Sequence, residues 1–483
     1  MVFSSLLFVY AFLPLCLITY KLVKGIRAKN IVLLIFSLIF YAWGEPKYIL
    51  LLIGMVFCDW LFALQMEKAE TKQKKKMWLI ITCVVNLGLI GIFKYANFFD
   101  ETFHDIFKTA LLLPEIALPI GISFYTFQLL SYVVDVYREE VPAQKSFSTL
   151  LLYAGLFHQC IAGPIVRYQD VMNELTCRTV NMKDINEGVT RFTVGLAKKA
   201  VLANMCGSIA DSFLLLKGGE TVTVEILEAA DGAALWVSML AYMLQIYLDF
   251  SAYSDMAIGM GRMVGLHYKE NFRYPYVATS IRDFWRRWHI SLSSFFRDYV
   301  YIPLGGSRNG MGKTILNMFI VWLLTGLWHG ASWNFVAWGL YFFIFLTMER
   351  LFLGKLLEKI PKIFGILYTW VVVYFGWILF RFKDFRLVWA SLRGMVGAPH
   401  NYWTTTETNA AIFGKVLFLI VAIIACTPFA NRFGRACREE AYDNKKMAVA
   451  YSVWQIVMPV ILLLLATMTL VGDSYNPFLY FQF

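Results

Sequence analysis

Apolar stretches of bilayer-spanning length recur from one end of this chain to the other. A hydrocarbon core about 30 Å thick is crossed by an α-helix of about 20 apolar residues. Stretches near 3–20, 31–44, 48–66, 77–94, 117–136, 147–163, 188–214, 231–264, 314–346, 364–381, 411–428 and 448–471 approach or exceed that length. Lipid offers a backbone no hydrogen-bond partners, so each such segment must satisfy its own amides, which a helix does. The sequence therefore predicts an all-α polytopic membrane protein of roughly ten to twelve transmembrane helices. No repeat, linker or low-complexity tract divides it, so one domain is expected over 1–483.

Composition agrees with that expectation. The chain is 59% hydrophobic and 16% charged, against about 45–50% and about 25% in soluble domains. Its net charge of +11 is expected to lie in cytoplasmic loops. Nucleic-acid binding would want a basic soluble domain, and none is visible. The eight cysteines are scattered without C-x-x-C or Cys/His spacing, so they imply neither a metal nor a disulfide framework. The first apolar run lacks the basic flank and small-residue site of a signal peptide and is expected to stay as a helix.

Basic residues set the orientation. Lys21, Lys24, Arg27 and Lys29 follow the first run, and Lys68, Lys72, Lys74, Lys75 and Lys76 follow the third, whereas the turn at 44–47 is nearly neutral. The first and third loops are expected in the cytoplasm and the N-terminus outside. Arg432, Arg435, Arg438, Lys445 and Lys446 precede the last run, which places the C-terminus outside as well.

Two places break the pattern. Between about 274 and 306 aromatics and arginines interleave at near-helical spacing, with Arg282, Arg286, Arg287 and His289 in the centre. Ser280 is placed to cap a helix beginning near Ile281, and an amphipathic segment lying on the cytoplasmic side is expected. The second place is His329, inside the 314–346 run and flanked by Trp328, Gly330 and Asn334. An ionisable side chain at bilayer depth is costly and usually faces a protein interior or cavity where it has a task. Imidazole is the side chain best suited to moving protons near neutral pH. Taken alone, His329 has a structural reading too, as a packed histidine.

Six ordered motifs carry a resemblance: YAWGEPK at 41–47, IAGPIVR at 161–167, DFSAYSDMAIG at 249–259, FWRRWH at 284–289, RDYVYIPLGG at 297–306 and LTGLWHG at 324–330. Together they resemble the membrane-bound O-acyltransferases over nearly the full length. The likeness is greatest to the bacterial alginate O-acetylase-like branch, which is related to peptidoglycan O-acetylases and teichoic acid D-alanyl transferases. The resemblance implies a ring of tilted helices around a thin core between a cytoplasmic and an extracellular funnel. It implies that the family's invariant histidine is His329 and its second motif histidine is His289. The terminal FLYFQF at 478–483 resembles the family's terminal aromatic motif. By that likeness the tail at 476–483 is an extracellular acyl acceptor, and Tyr480 carries the acyl group. A terminal aromatic cluster also has a plain reading as a headgroup anchor.

The function the resemblance implies is acyl transfer, with an acetyl group as the first expectation. A cytoplasmic thioester, acetyl-CoA or an acyl-carrier thioester, is the donor substrate, and no cofactor is permanently bound. His329 removes the proton of an acceptor hydroxyl, Asn334 and Thr325 either orient its ring or donate to the oxyanion, Trp328 flanks the site, and Arg282, Arg286 and Arg287 meet the donor's phosphates. The arginines have a plain reading as positive-inside residues. The acyl group passes by Tyr480 to an extracytoplasmic SGNH-hydrolase-like partner and then to a cell-surface polysaccharide, in exopolysaccharide or cell-wall biosynthesis. The setting is the membrane lipid of a bacterial cell. Alternatives are D-alanyl transfer to teichoic acid, a transporter or flippase of glycan precursors, and a scaffold that only recruits a partner. Asp249 and Asp255, in a mostly apolar stretch, are expected to bond neighbouring helices rather than react.

Overall fold

The computed structural model describes residues 1–109, 116–160, 163–214, 216, 221–398, 403–472 and 476. Among them every regular element is helical. In chain order the principal helices are α1 (Phe8–Leu22), α2 (Ile26–Gly44), α3 (Ile49–Lys68), α4 (Lys72–Phe107), α5 (Ile122–Tyr137), α6 (Met182–Ala197), α7 (Gly232–Met263), α8 (Ile281–Arg287), α9 (Ile290–Phe296), α10 (Gly310–His329), α11 (Trp333–Met348), α12 (Lys362–Arg381), α13 (Thr406–Ala425) and α14 (Lys445–Gly472). Among the described residues nine helices are long and apolar enough to cross a membrane, and α1 is a shorter apolar helix. The polytopic helical architecture is as expected.

Several runs are too long or too interrupted to be one simple span, and the structure shows how they are parcelled. The 147–163 run is cut at Leu156, and the 188–214 run carries Lys198, Lys199 and Asp211 and is not among the nine. The 314–346 run is two helices, not one: α10 ends at His329, and α11 begins at Trp333. His329 is thus a helix terminus and not a mid-helix residue. The physical reason is local. Gly330 is extended (φ −171°, ψ 156°), as is Ser332 (φ −159°, ψ 150°), so the chain leaves the helical region and re-enters it within four residues.

Local chemistry starts several helices. Thr71 accepts a hydrogen bond from the Lys74 amide at the head of α4. Asn181 and Asp184 exchange side-chain and amide bonds at the head of α6, a reciprocal cap. Ser280 accepts from the Asp283 amide, so α8 begins at Ile281 as expected.

Two compact units emerge, each from three stretches of chain. The first comprises Met1–Phe192, Tyr253–Glu270 and Ser294–Pro303. Its core includes a knot of rings from Phe8, Phe12, Phe40 and Phe157. Buried Asp59 accepts two hydrogen bonds from the Asn86 amide, at 2.8 and 3.0 Å. Arg191 binds Asp255 at 2.7 Å and Glu270 at 2.6 Å. Gly188 and Gly259 let two helices meet backbone to backbone, because a Cβ on either would lie 2.7 Å from the other's carbonyl oxygen. Tyr299 donates to Asp135 at 2.7 Å, and the guanidinium groups of Arg138 and Arg167 lie 5.2 and 5.0 Å from its ring centre. Asp298 pairs with Arg167 at 2.8 Å. The 161–167 and 297–306 motifs are joined by those contacts.

The second unit comprises Thr193–Ala252, Asn271–Ser293 and Leu304–Phe483. Its apolar core runs from Ala203 to Cys426 and is rich in tryptophan. The α8 helix is amphipathic in fact, with Ile281, Phe284 and Trp285 buried and Arg282 and Arg286 exposed. Its N-terminal amides also meet the Glu349 carboxylate, at 2.6 Å from Ile281 and 2.9 Å from Arg282. An anion at a helix N-terminus answers both the unpaired amides and the helix dipole.

Candidate functional site

The α10–α11 hairpin is what positions His329. Its two helices approach closely because glycines stand where side chains would collide. A Cβ at Gly326 would strike the Phe335 carbonyl, one at Gly339 the Trp322 carbonyl, and one at Gly330 the ring of Phe335. The pairing fixes the residue that closes α10. His329 is 8% exposed and is packed edge-on among three rings. Their centroids lie 4.9 Å away for Trp338, 5.0 Å for Trp328 and 5.3 Å for Phe380.

His289 sits in the corner between α8 and α9. Its φ of +44° is in the left-handed region that non-glycine residues rarely occupy, and such strain collects at functional positions. It is 1% exposed, against Phe250 at 4.8 Å and Trp328 at 5.8 Å. Burial pulls its pKa down to about 3, and a backbone hydrogen bond offsets this only in part. The ring is therefore neutral near pH 7. Nδ1 lies 3.4 Å from the Ser291 hydroxyl, and buried Nε2 has no hydrogen-bond partner among the described residues.

Trp328 thus touches both imidazoles and stands as the shared wall of one buried aromatic site. Asn334 is fully buried nearby in the chain, and its amide nitrogen donates to the Leu379 carbonyl at 3.1 Å while Oδ1 has no partner among the described residues. Thr325 returns its hydroxyl to Val321 in its own helix. Arg282 and Arg286 are exposed one turn apart on α8. Arg287 is engaged by Asp283 at 3.0 Å and by the Arg273 carbonyl, and Arg282 lies in the field of the Glu349 carboxylate. Tyr480 lies outside the described residues. Among the described residues no three His, Cys, Asp or Glu side chains group as metal ligands would.

The sequence reading missed the partners that make the site. Trp338 and Phe380 wall His329, Phe250 backs His289, and Glu349 caps α8. Phe380, Phe250 and Glu349 come from distant parts of the chain, and Trp338 from the facing helix of the hairpin. Asp249 and Asp255 do bond neighbouring helices as expected, Asp249 to Lys199 and Asp255 to Arg191. A signal for the first pair was present in Lys198 and Lys199, two cations inside an apolar run.

Residues 38–391 match a family described as MBOAT, membrane-bound O-acyltransferase family. The chain is 36% identical to a probable alginate O-acetylase of Pseudomonas aeruginosa, covering 100% of both proteins. It is 34% identical to a peptidoglycan O-acetyltransferase of Helicobacter pylori, over 82% of this chain and 80% of that one. It is 28% identical to a teichoic acid D-alanyltransferase of Bacillus subtilis, over 55% of this chain and 69% of that one. Both histidines fall within the matched family region.

Proposed function

Since this chain belongs to the membrane-bound O-acyltransferase family and is a multi-pass membrane O-acyltransferase, we propose that it moves an acetyl group from acetyl-CoA, or an acyl-carrier thioester, to a cell-surface polysaccharide. The observation that carries the mechanism is His329 at the mouth of a helix break, nearly buried and walled by rings. Acyl transfer needs the acceptor hydroxyl deprotonated, the oxyanion stabilised and water kept out. His329 takes the proton of the Tyr480 hydroxyl as its oxygen attacks the thioester carbonyl. The C–O bond forms, the C–S bond breaks, and the departing thiolate recovers the proton from the imidazolium. Arg282 and Arg286 are the exposed cations for the donor's phosphates.

The acetyl ester on Tyr480 then passes to an extracytoplasmic SGNH-hydrolase-like partner, which esterifies the polysaccharide. The tail that carries it is expected outside a bacterial cytoplasmic membrane, as is the N-terminus. Full-length similarity to an alginate O-acetylase supports acetyl as the group and an exopolysaccharide as the acceptor. D-alanyl transfer to teichoic acid has a shorter and lower likeness behind it.

Mass spectrometry of the C-terminal peptide after incubation with acetyl-CoA tests the scheme. An acetyl adduct on Tyr480 in the wild type, absent in His329→Ala, is expected. No adduct in the wild type under any thioester removes the relay, and an undiminished adduct in His329→Ala removes the base.

A further inference from the structure

The hydrogen-bond chain behind His289 decides which of its nitrogens carries the proton. The backbone amide of Ser291 donates to Asn271 Oδ1 at 3.1 Å. An amide N–H can only donate, so that atom of Asn271 is the acceptor oxygen. The Ser291 hydroxyl lies 2.9 Å from the same oxygen and must spend its single proton there. Toward His289 Nδ1, 3.4 Å away, it has only lone pairs to offer. Nδ1 is therefore the protonated nitrogen, and Nε2 is a bare lone pair.

Three further observations make this arrangement deliberate. Asn271 is fully buried and its carbonyl also receives the Ile290 amide at 2.9 Å, so it clamps the corner from the chain segment before α8. The corner residue keeps a left-handed φ that a relaxed turn would assign to glycine. Nε2 is buried with no hydrogen-bond partner among the described residues, a costly state that buried polar groups rarely keep. A lone pair held this way is complete only when a ligand brings a donor to it.

We propose that Ser291 and Asn271 are positioning residues that lock His289 as the Nδ1-protonated tautomer, so that Nε2 accepts a hydrogen bond from an N–H or O–H of a substrate. The inference rests on the acyl-transfer reading above. Two substrate groups share the required chemistry: an amide N–H on the arm of the thioester donor, and the hydroxyl that receives the acyl group.

The test uses the purified full-length protein, acetyl-CoA as donor, and the isosteric variants Ser291→Thr and Ser291→Val. Thr keeps the hydroxyl and Val does not, while their shapes match, so packing damage is common to both. Ser291→Thr is expected to stay near the wild type and Ser291→Val to lose about tenfold in kcat/KM, the worth of one buried hydrogen bond. A loss through donor KM at constant kcat identifies the donor's amide as the group Nε2 takes. A loss through kcat at constant KM identifies the acceptor hydroxyl. Thr and Val variants with equal rates overturn the inference. A wild type inert toward every thioester overturns instead the acyl-transfer reading beneath it.

Discussion

Lys199 and Asp249 form an ion pair 2.8 Å long, with side chains only 1% and 2% exposed. A buried pair contributes little over an apolar replacement, yet breaking it leaves one charge stranded. Lys199→Met is therefore expected to destabilise the protein by about 3–5 kcal/mol. The double variant Lys199→Met/Asp249→Leu should recover most of that loss. Thermal unfolding of the purified protein in detergent reads both, and a single variant as stable as the wild type would remove the pair from the account of stability.

His329→Ala should leave the melting temperature near that of the wild type while acyl transfer falls about 10²–10⁴-fold, the usual contribution of a positioned general base. Radiolabel transfer from acetyl-CoA measures the rate. Retention of wild-type turnover would return His329 to the rank of packing residue.

The α10–α11 hairpin predicts opposite responses to the same chemical change within one helix. A methyl at Gly326 meets the Phe335 carbonyl, whereas one at Gly312 meets nothing within 4 Å. Gly326→Ala should cost about 1–3 kcal/mol through overpacking, and it should disturb activity because His329 closes the same helix. Gly312→Ala should be neutral or stabilising by up to about 1 kcal/mol. Equal melting temperatures for the two variants would contradict the close backbone approach.

Asp298 supplies a pH test outside the spanning helices. Partial burial pushes its carboxyl up, but the hydrogen bonds and charges of Arg297 and Arg167 outweigh burial and hold it below the usual range. A carboxyl depressed on folding stabilises the folded state above its unfolded pKa, near 3.9. That contribution is lost as pH falls through the lower folded value. Melting temperature should therefore drop as pH falls below about 4, and Asp298→Asn should flatten part of that drop. An identical acid limb in the variant would mean that other groups carry it.

What could be read from the chain alone was set by local physics. The polytopic helical fold follows from long apolar runs, and the start of α8 follows from Ser280. The two histidines stood out because imidazole is rare in such surroundings. The break after His329 was hidden because Gly330, Ala331 and Ser332 are small and do not interrupt an apolar profile, although glycine followed by serine is also how one helix stops and another starts. Trp338, Phe380 and Asn271 gave no local signal at all. Their roles come from tertiary contact, and an aromatic or an asparagine in this composition is unremarkable until its neighbour is known.

The turn that carries Lys199 has a consequence for how this chain can change length. Residues Lys198–Ala203 form a wide π-type turn between α6 and the helix Asn204–Ser212, which holds one residue more than an α-turn. Each α-helical residue advances the phase by about 100°. Losing one residue from an ordinary α-helix would turn its two ends against each other by that angle. Here the loss of one residue after Lys199 would close the wide turn to an α-turn and leave the flanking helices in phase, with Lys199 still on Asp249. Within this stretch the chain tolerates a change of count more readily than the loss of the Lys199 charge, and the surplus residue is a slip of register contained in a single turn.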